Sequence, residues 1–249
     1  MTRLAAVLGA LLVLLLLALG HLPARLAAAF VDPQQLRLSG FSGTLLSGGA
    51  ARVMLATPAG FLHFGHARWT VSPLSLLAFA PRLALRSEWG PQRIESEVHP
   101  GRDRVTLRAL DARIDAGLLR AFIPIELAGR LNLVFDELVV RQARVEAAAG
   151  RLVWQDAAWR AASGVRALGT YAAEVSSAGP GDLKFRVQTL AGPIQVAGVA
   201  SLAGQRYAVD LEIELPPEMA DPELARALSL IATPRENGYL LRLDGELRR

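Results

Sequence analysis

The chain has 249 residues, of which 52% are hydrophobic and 20% charged. That is enough for one large or two small domains, too apolar for a disordered chain and too charged for a polytopic membrane protein. The net charge is +4 with Lys184 the only lysine, and the arginines stand between acids (Arg102, Asp103, Arg104), which points away from the basic, aromatic-interleaved stripe of a nucleic-acid binder; with no cysteine, disulfides, thiolate chemistry and Cys-ligated zinc are excluded.

The chain opens with Arg3 followed by a run, residues 4–19, made only of Leu, Ala, Val and Gly. Extended to residue 22, a helix rising about 1.5 Å per residue spans the roughly 30 Å of a bilayer core. Leu4, Leu12, Leu16 and Leu19 would form the apolar surface of a single membrane anchor, residues 1–25. The same stretch reads as a cleaved signal peptide, because Ala27-Ala28-Ala29 supplies an A-x-A pattern. Its distance beyond Leu19, and Arg25 just before it, favour an uncleaved anchor. No second apolar run of that length follows, so residues 26–249 are expected on one side of the membrane as one β-rich domain. If the anchor inserts as signals normally do, that side is the periplasm.

Beyond the anchor the hydrophobic period is two. Leu131 to Phe135 alternates, and the stretch from Val105 through Leu107 to Leu110, Ala112 and Ile114 alternates with a change of phase. That change predicts a bulge near Ala109-Leu110, since a one-residue slip would otherwise turn every later side chain to the wrong face. Over residues 183–215, Leu183, Phe185 and Val187 alternate with Lys184, Arg186 and Gln188. Gly192-Pro193 turns the chain, Ile194, Val196, Ala200 and Leu202 resume, and after Gly204 come Tyr207, Val209, Leu211, Ile213 and Leu215. This predicts a three-stranded antiparallel meander with one wet face. Val209 and Leu211 are expected inside, Asp210 and Glu212 outside. Two helices are expected: a short turn after Ser72-Pro73, and one opened by Asp221-Pro222-Glu223 carrying Leu224, Leu228 and Ile231, which should lie on the sheet. The predicted fold is therefore mainly β: a membrane helix, then an extended, curved antiparallel sheet with one short helix near the C-terminus.

The chain carries no G-x-S-x-G, H-E-x-x-H, Walker A or strand-to-helix G-x-G-x-x-G pattern. His63 and His66 form an H-x-x-H, but on a strand an i, i+3 pair points to opposite faces. Asp136-Glu137 reads as a turn rather than a catalytic carboxylate pair. Asp210, Glu212 and Glu214 read as a solvated strand face. No catalytic residue, metal or cofactor is assigned, and the four tryptophans (Trp69, Trp89, Trp154, Trp159) read as core or edge anchors.

Taken in order, LSGFSGTLLSGGA (residues 38–50), FGHARWTVSPLSLL (64–77), GRLVWQDA (150–157), ALGTY (167–171), GPIQVAGVASL (192–202) and GYLLRLDGEL (238–247), behind one N-terminal apolar helix, resemble protein N of the bacterial type II secretion system. The distinctive parts are Gly43-Thr44, the R-W-x-x-x-P-L of Arg68 to Leu74, and the G-P-x-x-x-x-G of Gly192 to Gly198; Leu46 stands where the family usually has Trp. The resemblance implies a single-pass inner-membrane protein, bulk in the periplasm, that assists export of folded proteins through contacts with the inner-membrane platform or the secretin. It implies no enzymatic activity. Arg68 and Trp69 are the candidate interface anchors. The rival reading is an AsmA-like periplasmic protein that binds or transfers lipid along an apolar sheet face.

Overall fold

The computed structural model describes residues 20–57, 60–78, 80–121, 126–142, 144–161, 164–216 and 222–246. The apolar run of residues 4–19, with Leu4, Leu12, Leu16 and Leu19, lies outside them. No helix of the described residues is long and apolar enough to cross a membrane. The chain forms two compact units, one ending at Pro100 and the other beginning at Gly101, and both are antiparallel β.

In the first unit, strands β1 (Leu36–Gly43), β2 (Ser47–Thr57), β4 (His66–Val71), β5 (Leu83–Trp89) and β6 (Gln92–Pro100) follow one another in the sheet. The short β3 (Gly60–His63) pairs with the second half of β2. The residues 24–30 that carry the A-x-A pattern form a 3-10 helix, Ala24–Phe30. It packs against β1 and β2, and Ala24 joins Ala50, Val53, Ala67 and Trp69 in a buried cluster flanked by Phe41, Leu83 and Leu85. The apolar phase of β1 changes between Leu38 and Phe41 because Gly40, at φ 70°, takes a left-handed conformation opposite Ala51 in the register. The helix α1 (Pro73–Leu77) begins with its proline at the first helical position, as expected. The Ser75 hydroxyl donates to the Ser72 carbonyl at 2.6 Å and accepts the Arg82 N–H at 2.9 Å, tying the helix to the chain entering β5.

The second unit orders β7 (Arg104–Asp115), β8 (Leu127–Arg141), β9 (Arg144–Ala161), β10 (Gly164–Gly179), β11 (Asp182–Ala191), β12 (Gln195–Ala203) and β13 (Arg206–Glu214) consecutively, then β15 (Gly238–Glu246) and the three-residue β14 (Thr233–Arg235). The meander over residues 183–215 is present with its apolar phase aligned: Leu183 faces Leu202, Phe185 faces Ala200, and these face Tyr207 and Val209 in turn. The phase change near residue 109 is present too. Ala109 adopts φ 47° while the β7–β8 register holds on both sides of it, and Asp136, opposite, is the extra residue of β8 against β9. Both strands carry the irregularity, so Leu107 and Leu138 return to the face that holds Leu110 and Phe135. Asp136-Glu137 is thus a mid-strand bulge and not a turn: the same small-polar signal serves a bulge when both flanking segments stay paired.

Following the register across strands, three apolar rows run from β7 to β15: Leu110, Phe135, Gly150, Val175, Phe185, Ala200, Val209, Leu243; Ala112, Leu133, Leu152, Ala173, Val187, Gly198, Leu211, Leu241; and Ile114, Leu131, Trp154, Tyr171, Thr189, Val196, Ile213, Tyr239. Leu110, Leu131, Phe135, Tyr171 and Val175 are buried, but from β11 onward most of the face is only half-buried. Val209 and Leu211 are half-buried rather than inside, and Asp210, held by Arg242, is half-buried too, while Glu212 is exposed. The helix α2 (Pro222–Ser229) forms where expected, although Asp221 lies outside the described residues. Its Leu224 is buried, Ala225 lines a cleft together with Leu215 and Tyr239, and Ile231, beyond its end, stays 51% exposed.

Candidate functional site

Strand alternation separates the two candidate anchors. On β4, Trp69 points into the core cluster at 8% exposure, and its indole Nε1–H donates to the Leu45 carbonyl at 3.0 Å. Arg68 points out on the other face, in a cross-strand row Ser42, Gly49, Arg68, Arg86, Glu95. Arg86 reaches Glu95 at 3.4 Å, Arg93 also pairs with Glu95, and those guanidiniums hold the Glu95 carboxyl below its usual range, the hydrogen bond from Arg93 first. Arg68 faces Arg86 directly, and among the described residues it forms no ion pair. Trp69 has little surface left to offer a partner and serves to seat the turn after β1. In that turn Gly43 takes φ 76°, and a Cβ there would run into the Ser47 carbonyl oxygen, while the Thr44 hydroxyl accepts the Ser47 N–H at 3.1 Å.

Three of the histidines have partners of their own. His63 Nδ1 accepts the Gly65 N–H at 3.0 Å and its ring lies 5.4 Å from that of Trp89; His66 and His99 pair instead with Glu88 and Glu97. Among the described residues no group of three metal-binding side chains occurs. Glu137 lies 3.5 Å from Arg108 and Asp136 is exposed, so no carboxylate pair is assembled. The motif residues of the second unit are structural. Gly169 (φ 146°) and Gly192 (φ 120°) lie backbone to backbone, and a Cβ on either would press into its surroundings. Tyr171 bridges the same two segments: its hydroxyl donates to the Leu168 carbonyl at 2.8 Å and lies 3.2 Å from that of Ile194, and burial pushes its pKa up to about 12.

One feature has no single-stretch signal in the sequence. On the polar face of the second unit the register lines up Asp111, Val134, Arg151, Glu174, Arg186, Val199, Asp210 and Arg242. Beside this row lie Ser176, Lys184, Ser201, Ala208 and Asp244, and between them runs a groove of about 1100 Å³. Its four cations (Arg151, Lys184, Arg186, Arg242) match its four anions (Asp136, Glu174, Asp210, Asp244), and its floor is apolar at Val134 and Val199, 55% and 57% exposed. Such a surface has no net field to gather a small ion. It suits a partner with alternating charge, because specificity then comes from matching pairs.

The family model described as type II secretion system (T2SS), protein N, matches residues 34–242. No curated protein and no solved structure matches the chain.

Proposed function

The chain belongs to the type II secretion system protein N family, and from that premise we propose that it is an accessory of the secretion machine, anchored in the inner membrane by residues 1–25 with its β units in the periplasm. It acts through protein–protein contacts with the inner-membrane platform or the secretin. The family match carries the assignment to secretion. What supports a contact role is the chemistry of the surfaces: a mixed-charge groove, the outward-facing Arg68, and sheet edges whose backbone groups can take up a partner's strand. Arg68 stays in this reading as a rim anchor on the exposed face of β4. Deleting the gene should retain folded exoproteins in the periplasm while outer-membrane permeability is unchanged. Normal secretion in the deletion strain would overturn the reading.

One observation favours a second reading. The apolar rows from β11 to β15 are half-buried, with Leu243 39% exposed, and a half-covered apolar face suits an acyl chain. Under this lipid-binding alternative, purified protein carries phospholipid and the deletion sensitises cells to detergent. Lipid-free protein from cells that lose secretion on deletion would dismiss it.

A further inference from the structure

The C-terminal edge of the second unit is only partly closed. β14 pairs with β15 through Thr233↔Leu240, Pro234↔Tyr239 and Arg235↔Gly238. Along residues 241–246, no described strand lies on the side of β15 away from β13. Pro234 keeps the covered stretch from extending, whereas the uncovered one keeps its full set of backbone groups. We propose that this edge pairs antiparallel with the same edge of a second copy, Leu243 lying opposite Leu243 of the other copy across a two-fold axis.

Parity and charge single out that register. Residues directly opposite in an antiparallel pair project to the same face, and Leu241 and Leu243 lie on the apolar face while Arg242 and Asp244 lie on the polar one. Even-numbered positions must therefore face even-numbered ones. With Leu243 at the axis, Arg242 faces Asp244 of the other copy twice, and Leu241 comes opposite Gly245, over which the Tyr207 ring already lies as an apolar neighbour. Shifting by one pair toward the C-terminus sets Asp244 against Asp244; shifting the other way sets Arg242 against Arg242 and runs into β14. Asp244 has no ion-pair partner among the described residues, while Arg242 already holds Asp210 at 2.9 Å and has guanidinium N–H groups to spare. The rows ending in Val209–Leu243 and Leu211–Leu241 would then continue unbroken into the second copy, covering the 39%-exposed Leu243. Five paired positions, 241–245, make a weak interface of the kind that answers to concentration.

Because the chain contains no cysteine, the test is direct. Full-length protein purified in mild detergent is prepared as Leu243→Cys, Leu241→Cys and Val199→Cys, checked for native far-UV circular dichroism, and gently oxidised. Most of the Leu243→Cys chains should become covalent dimers, at least tenfold more than either other variant. In parallel, light scattering of the cysteine-free protein should show a concentration-dependent dimer whose dissociation constant rises at least tenfold in Asp244→Arg. Equal cross-linking of all three variants, a monomer at every concentration, or a dimer indifferent to Asp244→Arg would each overturn the proposal; a monomer that binds a strand of another protein at this edge would also do so.

Discussion

The Tyr171 hydroxyl lies 3.2 Å from the carbonyl oxygen of Ile194, which is 23 residues further along the chain and buried at 4% exposure. It joins two segments that are unremarkable when read singly, ALGTY and GPIQVAG, into one corner. Tyr171→Phe leaves the Leu168 and Ile194 carbonyls short of a donor and should cost about 1–2 kcal/mol in a denaturant titration.

The same residue makes a pH prediction. Its folded pKa is raised from 10.0 to about 12 by burial, so folding favours the protonated phenol. That contribution is fully present below pH 10 and is lost as pH rises through 12, by at most about 2–3 kcal/mol. Urea midpoints measured across this range should fall more steeply for the wild type than for Tyr171→Phe. Parallel slopes would show that the hydroxyl is solvated.

Neighbours on β4 should respond oppositely to truncation. Trp69→Ala empties the core cluster and orphans the Leu45 carbonyl, at a cost of about 3–5 kcal/mol. Arg68→Ala should stay within about 0.5 kcal/mol, yet weaken exoprotein secretion if the exposed cation is a contact residue. Stability and secretion measured on the same pair of variants separate packing from recognition.

The bulge on β7 holds a non-glycine residue in left-handed space. Ala109→Gly relieves that strain and should stabilise the second unit by up to about 1 kcal/mol, whereas Ala109→Val, β-branched at φ 47°, should cost more than that. Thermal midpoints decide it. A stabilising Val would place the phase change elsewhere.

Gly198 closes the G-P-x-x-x-x-G stretch, and its φ of 152° is one that L side chains rarely adopt. A Cβ there would run into the Asp210 carbonyl oxygen of β13. Gly198→Val should therefore destabilise by several kcal/mol, while Val199→Ala, on the exposed face beside it, should be nearly neutral.

Alternation, turns and bulges were legible in the amino-acid sequence because they are local. Period two over residues 183–215 specifies which side chains share a strand face, Gly192-Pro193 and Gly204 specify where the chain reverses, and the phase change at Ala109 specifies an irregularity, all within a few residues. The same alternation says that Arg68 and Trp69 point opposite ways. It does not say which of the two sides is covered. That side was decided by the 3-10 helix at Ala24–Phe30, whose Ala24 joins Trp69 in the buried cluster from 45 residues away. The neutral row from Asp111 to Arg242, the groove along it and the open stretch of β15 were likewise settled only by register, which is a relation between strands. Each strand contributes one member of that row, and a two-residue slip in any one pairing would scatter the charges while leaving every local pattern intact.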